Sequence, residues 1–431
     1  MATRVRSFSK INLGLAIGPV RADGFHGLAT LYQTLALHDV VTVEAEQLAI
    51  EDASPEQSRI SLTTNHPGVP TDGRNTAWKM VELALTRMGI AAEVKIHIQK
   101  ELPVQGGMGA GSANAAAALI GLERELGFSL SELARMEVAA EVGSDVPLFL
   151  LGGAVLGTGR GERVREMPDL PATWCVVAVP EVGVSTPRAF KDWDQLEAER
   201  AKAKYGGLST PLRSGRDDAS VGGDRSGRDD ASVGGDRSGR DDASEGGHSC
   251  GEDASVEGGL TSPVRPDRLE ELSHVYASVF GAQTSDTSGI VRSRQDSVSS
   301  ETKQGGLEEQ SFTSKQGAQN GLAGNALLAL VRTGIENDFE TVVFPQYPLL
   351  REIKRLLMGT PADGLREGRP DDLRGNALYA ALSGSGSALF GLYGSEQDAR
   401  AAQQRVLDSG CKAILTETLP RAEYWGRMFA E

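Results

Sequence analysis

Cysteine is scarce in this chain: Cys175, Cys250 and Cys411 are the three in 431 residues. They are too few and too scattered for a disulfide framework or a zinc knuckle. Long apolar runs are missing too, none reaching the roughly 18 residues that a membrane-spanning helix needs. The opening MATRVRSFSKINLGL has no long apolar stretch ending at a small-residue cleavage site, so no signal peptide is expected and a soluble, cytoplasmic location is. Basic residues are outnumbered, 44 Lys and Arg against 59 Asp and Glu, a net charge of −15. Nucleic acid and anionic membranes reward a basic surface, so neither is an expected partner. Aromatic content is 5% and hydrophobic content 39%, while glycine is high at 52 residues. Such a composition asks for a segment that builds no core.

That segment is visible as a repeat. SGRDDASVGGDR begins at Ser214 and again at Ser226, and SGRDDASEGGHS follows from Ser238. A unit this rich in Gly, Ser and Asp has nothing to bury against its neighbour and cannot offset chain entropy. The whole of 206–320 reads as a low-complexity, mostly disordered insertion, with 206–265 the clearest part. Within it LEELSHVYASVF, residues 269–280, carries apolar residues at helical spacing and could dock on a fold. The flanks, 1–200 and 321–431, have ordinary composition and room for two domains.

Both flanks mix helix and strand. VVTVEA (40–45) and VKIHIQ (94–99) alternate as strands do. Ala77, Met80, Val81, Ala84 and Leu85 fall on one helical face over 75–88. After the insertion, helices are expected near 326–332, over 349–357 and over 396–407, with a strand at 388–393. The class is α+β or α/β rather than all-α or all-β.

Five stretches carry candidate chemistry. LPVQGGMGAGSANAAAA (102–118) follows a strand and runs into a strong helix former. Gly106, Gly107, Gly109 and Gly111 permit close backbone approach, and Ser112 reads as the N-cap. A glycine loop entering a helix N-terminus offers free N–H groups to phosphate. No Lys follows as in a P-loop, and the dinucleotide fingerprint spacing is absent. In SFSKINLGL (7–15), Lys10 lies among apolar neighbours, either a snorkelling edge charge or a functional cation. In GSDVPLFLLGG (143–153), Asp145 is a partly buried carboxylate needing a partner, or a turn residue. LSGSGSALF (382–390) is a glycine-punctuated turn before a strand, and RADGFHGLAT (21–30) sets Phe25 beside His26, a stacking face next to a polar edge.

Taken together and in order, these stretches resemble the GHMP kinase superfamily, whose three motifs match SFSKINLGL, PVQGGMGAGSANAAAAL and LSGSGSALF. KINLGLAIGPVRADGFHGLATLYQTLALHD, GSDVPLFLLGGAVLGTGRGE and STPRAFKDW resemble, within it, the kinases of 4-diphosphocytidyl-2-C-methyl-D-erythritol in the non-mevalonate isoprenoid pathway. The resemblance covers about 1–200 and 321–431. It implies an α+β fold with a ribosomal-S5-like N-terminal domain and a ferredoxin-like C-terminal domain. It implies ATP and Mg2+ as cofactors and that diphosphocytidyl alcohol as the small-molecule substrate. Carried over position by position, it makes Asp145 the base and Lys10 the cation beside it. It makes Pro103, Val104, Gln105, Gly106, Gly107, Met108, Gly109, Ala110, Gly111, Ser112 and Ala113 the ATP-binding loop. Phe25, His26 and Phe190 hold the cytidine, with the base expected between the two phenyl rings, and Asn12 lies near the reacting hydroxyl. No metal-ligating residues are evident. This chain has Ala113 where the family usually has a second serine, and Phe25 where it usually has Tyr. Another small-molecule kinase of the superfamily, or a non-catalytic nucleotide binder on its scaffold, are the alternatives.

Overall fold

A computed structural model describes residues 2–48, 55–104, 106–206, 335–359 and 376–431. The repeats, the 269–280 stretch, the helix expected near 326–332 and Gln105 lie outside the described residues. Everything discussed below, the last turns of one helix from Ala198 onward excepted, lies in one unit of the chain.

The first layer is a six-stranded sheet ordered β3-β4-β2-β5-β6, with β1 also paired to β2. Two long strands, β1 (Thr3–Val20) and β2 (His26–Gln47), run antiparallel. The rest of the sheet is built on β2. Its second half takes β4 (Ala92–Gln99), and its first half takes β5 (Ala154–Thr158). Outside these, β3 (Arg59–Thr64) lies parallel to β4, and β6 (Arg163–Glu166) pairs antiparallel with β5. The expected strands 40–45 and 94–99 are therefore real, the first being one segment of a 22-residue strand.

Helix α1 (Thr76–Met88) buries the five apolar residues its spacing picks out. Asn75 Oδ1 caps it by accepting from the Ala77 amide, and Gly89 ends it in the left-handed region. Helices α2 (Ala110–Leu126) and α3 (Glu132–Val142) follow. In the core beneath them Val41, Val43, Ile96 and Ile98 of the strands meet Met80, Leu119 and Leu122 of the helices.

The second layer is a four-stranded antiparallel sheet ordered β10-β7-β9-β8. Strand β7 (Trp174–Val179) comes from before the insertion, and β8 (Tyr379–Leu382), β9 (Leu389–Tyr393) and β10 (Lys412–Glu417) come from after it. WCVVAV is buried on both faces, which explains its unbroken apolar run. Cys175 and Val177 join Ile11, Leu13 and Phe390 in a core between the sheets. Val176 and Ala178 point the other way, towards Leu350, Ile353, Ala399 and Val406. Those residues sit on α6 (Pro348–Met358) and α7 (Glu396–Asp408), which lie at the helices expected for 349–357 and 396–407. Helix α4 (Thr186–Gly206) follows β7, α5 (Phe339–Gln346) precedes α6, and α8 (Arg421–Gly426) is near the C-terminus.

The seating of α2 on the sheet depends on Gly121. A β-carbon there would lie 2.6 Å from Val43 Cγ2 and 2.9 Å from its Cβ. In an unencumbered helix Gly→Ala stabilises by about 1 kcal/mol. Here overpacking, which costs about 1–3 kcal/mol, reverses the sign. We expect Gly121→Ala to lower the melting temperature and Val43→Ala in the same chain to restore part of the loss, read by calorimetry.

Candidate active site

The glycine loop begins where a buried ion pair anchors the chain leaving β4. Asp39 of β2 is fully buried; its Oδ2 takes the Lys100 ammonium at 2.6 Å and its Oδ1 accepts the amides of Glu101 and Leu102. From there Gly106, Gly107 and Gly109 turn the chain with φ of 119°, 79° and 70°. Two of them are also close contacts. A β-carbon at Gly107 would sit 2.2 Å from the Ser383 carbonyl oxygen, and one at Gly109 would sit 2.9 Å from Phe149 Cζ and 3.1 Å from Lys10 Cγ.

The capping expectation needs correction. Gly109, in the left-handed region, is the N-cap of α2, and the helix starts at Ala110 without a side-chain cap bond. Ser112 therefore lies in the first turn. The glycine turns the chain into the helix before the serine is reached, which leaves its hydroxyl available to a ligand. A cavity of about 380 Å³ opens here. Pro103, Val104, Gly107, Met108, Gly109, Ala110, Gly111 and Ser112 line it, with Lys100 and the Asn75 turn on the other side. The expected loop residues Gly106 and Ala113 are outside that lining: Gly106 accepts the Ala388 amide at 3.1 Å, and Ala113 is buried in the first turns of the helix.

A larger cavity, about 700 Å³, holds Lys10, Asn12, Phe25, His26, Asp145 and Phe190 in its lining. Gly107 borders both cavities. The floor is a polar patch on one face of the β1–β2 pair, formed by residues two apart on each strand. Lys10 is 2% exposed, so it is no snorkelling charge. Its ammonium lies 2.6 Å from Asn12 Oδ1 and 3.3 Å from Asp145 Oδ2. Asn12 donates to Thr30 Oγ1 at 2.7 Å, and Thr30 in turn donates to the Gly14 carbonyl. Asp145 sits in the turn between α3 and the 3₁₀ helix Pro147–Leu150, its side chain 33% exposed. Its Oδ1 accepts from the Tyr32 hydroxyl at 2.9 Å. Burial, and then the Asp145 charge, push the Tyr32 phenol well above its ordinary pKa, so it remains protonated.

At the far end the aromatic residues are together but not as a sandwich. His26 stacks on Phe190, centroids 4.8 Å apart and planes 14° apart, and Phe190 meets Phe339 edge-on. His26 Nε2 is 2.7 Å from Asp194 Oδ1. The Phe190 face expected for a base thus carries His26, while Phe25, 53% exposed, lies under the Arg160 guanidinium at 5.0 Å. Sequence reasoning passed over Tyr32, Arg160, Lys100 and Asn337. The stretches containing Tyr32 and Arg160 were in view, but no local spacing marks a residue whose partner is over 100 positions away.

The LSGSGSALF turn is more than a turn before a strand. Ser383 Oγ donates to the Gly107 carbonyl at 3.0 Å, and Asn337 Nδ2 donates to the carbonyls of Leu382 and Gly384. The three motifs of the sequence thus converge on one place.

Comparison with known proteins gives the family. Residues 75–153 match the family described as GHMP kinases N terminal domain. The 4-diphosphocytidyl-2-C-methyl-D-erythritol kinase of Corynebacterium glutamicum (strain R) is 40% identical over 227 residues, 52% of this chain and 71% of that protein. The chain belongs to the 4-diphosphocytidyl-2-C-methyl-D-erythritol kinase family. The relative from Rhodococcus jostii (strain RHA1) is 40% identical over 203 residues, 47% of this chain. This chain spans 63% of that relative's length. In fold, the crystal structure of homoserine kinase from Cytophaga hutchinsonii is similar at a TM-score of 0.52 and 16% identity, covering 97% of this chain and 95% of that one.

Among the described residues, no group of three or more His, Cys, Asp and Glu could hold a metal. Cys175 is buried and its thiol pKa is pushed up by burial, and that of Cys411 is raised by the same cause. Neither is a ready thiolate. No described helix is long and apolar enough to cross a membrane.

The anchor at Asp39 is open to test. Asp39→Asn keeps an acceptor for the loop amides but leaves the Lys100 ammonium, whose side chain is 4% exposed, without its counter-charge. Breaking a buried pair this way costs about 3–5 kcal/mol, whereas removing both charges is far milder. We expect urea denaturation to show that loss in Asp39→Asn and a recovery of most of it when Lys100→Met is added.

Proposed function

We propose that this member of the family transfers the γ-phosphate of ATP to the 2-hydroxyl of 4-diphosphocytidyl-2-C-methyl-D-erythritol, giving the 2-phosphate and ADP. The reading rests above all on the Lys10–Asp145 pair, 3.3 Å apart, in a cavity that meets the glycine-loop cavity at Gly107. Phosphoryl transfer asks a protein mainly for alignment, charge neutralisation and a route for the hydroxyl proton.

Each requirement has a matching group. The amides of the loop and of the first turn of α2 point free N–H groups at a triphosphate. Asp145 accepts the proton of the attacking hydroxyl, and its partial exposure to the cavity lets that hydroxyl reach it. Lys10, 3.3 Å from the carboxylate, stabilises the developing alkoxide charge. The alcohol oxygen bonds to the γ-phosphorus as the bond to the β-phosphate oxygen breaks, and ADP leaves. Magnesium, when bound, would neutralise phosphate charge. The Ser112 hydroxyl, in the lining of the glycine-loop cavity, would help hold it. The cytidyl end falls to Phe25, His26 and Phe190. His26 lies already seated on Phe190, and this pair presents a ring face and a polar edge as one unit. Two cations, Arg160 and Lys191, also line the cavity and suit a diphosphate.

The test is a single assay: purified protein, ATP, magnesium and the diphosphocytidyl alcohol, with the product followed by phosphorus NMR. Homoserine and mevalonate serve as competing acceptors, and turnover of either in preference would overturn the substrate assignment. Asp145→Asn and Lys10→Ala should each lower kcat by about 10²-fold or more, the scale of general-base and charge-stabilising groups. Their KM values should change little. An Asp145→Asn enzyme at wild-type turnover would remove it as the base. Phe190→Ala should raise KM for the cytidyl substrate by roughly 5- to 150-fold, because it removes the ring on which His26 is seated as part of the stacking unit, and stacking on a base is worth about 1–3 kcal/mol. ATP affinity should hold. The reverse pattern would mean the two cavities are assigned the wrong way round.

A further inference from the structure

Two glycines of the GTGRGE stretch lie outside both cavities' linings and play no part in the chemistry above. Gly157 lies in β5, opposite Thr30, and Gly161 lies in the turn that follows. A β-carbon at Gly157 would stand 2.6 Å from Tyr32 Cε2, and one at Gly161 would stand 2.7 Å from the Tyr32 hydroxyl. Both missing side chains thus make a slot for the same ring. The Tyr32 residue that fills it is 2% exposed. It lies on β2 across from Asn12 of β1 and Val155 of β5. Its hydroxyl reaches the floor of the larger cavity and ends on Asp145 Oδ1.

A carboxylate in a turn, one-third exposed, is free to rotate unless something holds it. A base works only when one oxygen stays within hydrogen-bond reach of the proton it takes, and small misplacements cost large factors in rate. Lys10 addresses Oδ2 and Tyr32 addresses Oδ1, from neighbouring strands. We infer that Tyr32 is the positioning residue for Asp145: by donating to Oδ1 it turns the carboxylate so that Oδ2, beside Lys10, faces the reacting hydroxyl, and Gly157 and Gly161 exist to seat it. This rests on Asp145 being the base. Tyr32 itself transfers no proton, since burial and the neighbouring carboxylate keep its phenol protonated. A donor that stays a donor is what the role requires.

Tyr32→Phe keeps the ring in its slot and deletes only the hydroxyl. We expect its kcat to fall about 10-fold or more, the scale set by one hydrogen bond to a charged group. KM for ATP and for the alcohol should stay within about 2-fold, and the substitution should cost nothing further when added to Asp145→Ala. A merely structural role predicts a different pattern, with a loss that persists in the Asp145→Ala background. That outcome, or a wild-type kcat in Tyr32→Phe, overturns the inference. A second measurement needs no turnover. With labelled tyrosine, proton NMR should show a slowly exchanging Tyr32 hydroxyl that vanishes in Tyr32→Phe and loses its protection in Asp145→Ala. An unchanged signal in Asp145→Ala overturns the pin. A wild type that keeps the signal yet does not phosphorylate the diphosphocytidyl alcohol overturns the functional reading and leaves the pin standing.

Discussion

The site depends on how closely Gly107 approaches Ser383. A β-carbon at 107 would come within 2.2 Å of a backbone carbonyl oxygen, which has no side-chain freedom with which to give way. Only glycine fits, and its φ of 79° independently favours glycine. Around that contact Ser383 Oγ bonds the Gly107 carbonyl, and the Ala388 amide bonds the Gly106 carbonyl. Segments nearly 280 positions apart are thereby held at one point. That point is the border of both cavities, so the same contact that holds the two segments together also sets the two cavities side by side.

The charges on the cavity floor are arranged unequally. Lys10 is taken almost wholly out of water, which costs several kcal/mol unless its donors are satisfied. Asn12 at 2.6 Å and Asp145 at 3.3 Å supply that, and the Tyr32 ring lies 5.4 Å from the ammonium. Asp145 is the more exposed partner. A purely structural pair gains most when both charges are enclosed and saturated. Here the cation is fixed and the carboxylate opens on the cavity, the asymmetry that the proposed proton transfer calls for. Lys100 and Asp39 show the contrast: both side chains are nearly out of water, and the carboxylate takes the ammonium and two backbone amides to anchor the chain where the glycine loop starts.

Elements governed by local periodicity were legible in the sequence. Helix α1 and strand β4 lie where five apolar positions and a strict alternation put them. The glycine loop between strand and helix was legible as well, because φ > 0 and helix entry are written in neighbouring residues. Three features were not. Ser112 looked like the cap because a serine usually outranks a glycine there, yet the left-handed turn at Gly109 had already started the helix. The 382–390 turn looked ordinary because its partner, the glycine loop, is remote in the chain. The seating of His26 on Phe190 was hidden for the same reason: His26 on β2 and Phe190 on α4 come together only when the two layers do, and nothing near either residue announces the stack.

That stack divides the larger cavity into a fixed end and an adaptable one. His26 is held by Phe190 on its face and Asp194 at Nε2, and Phe190 is braced by Phe339. Nothing there needs ordering when a ligand arrives, and affinity gains when ordering costs are met in advance. Phe25, by contrast, stands on a short turn closed by the Arg21 amide on its own carbonyl and by the Arg21–Asp23 pair. More than half of it faces solvent, and the cover it has is a long, jointed arginine. A ring so placed belongs to none of the packed cores among the described residues. A diphosphate-linked handle has many rotatable bonds, so an enzyme that grips it gains from a rigid face to set register and a mobile ring to close over the opposite side. The chain puts the stacked pair where two layers lock together, and the more exposed ring on the short turn between β1 and β2.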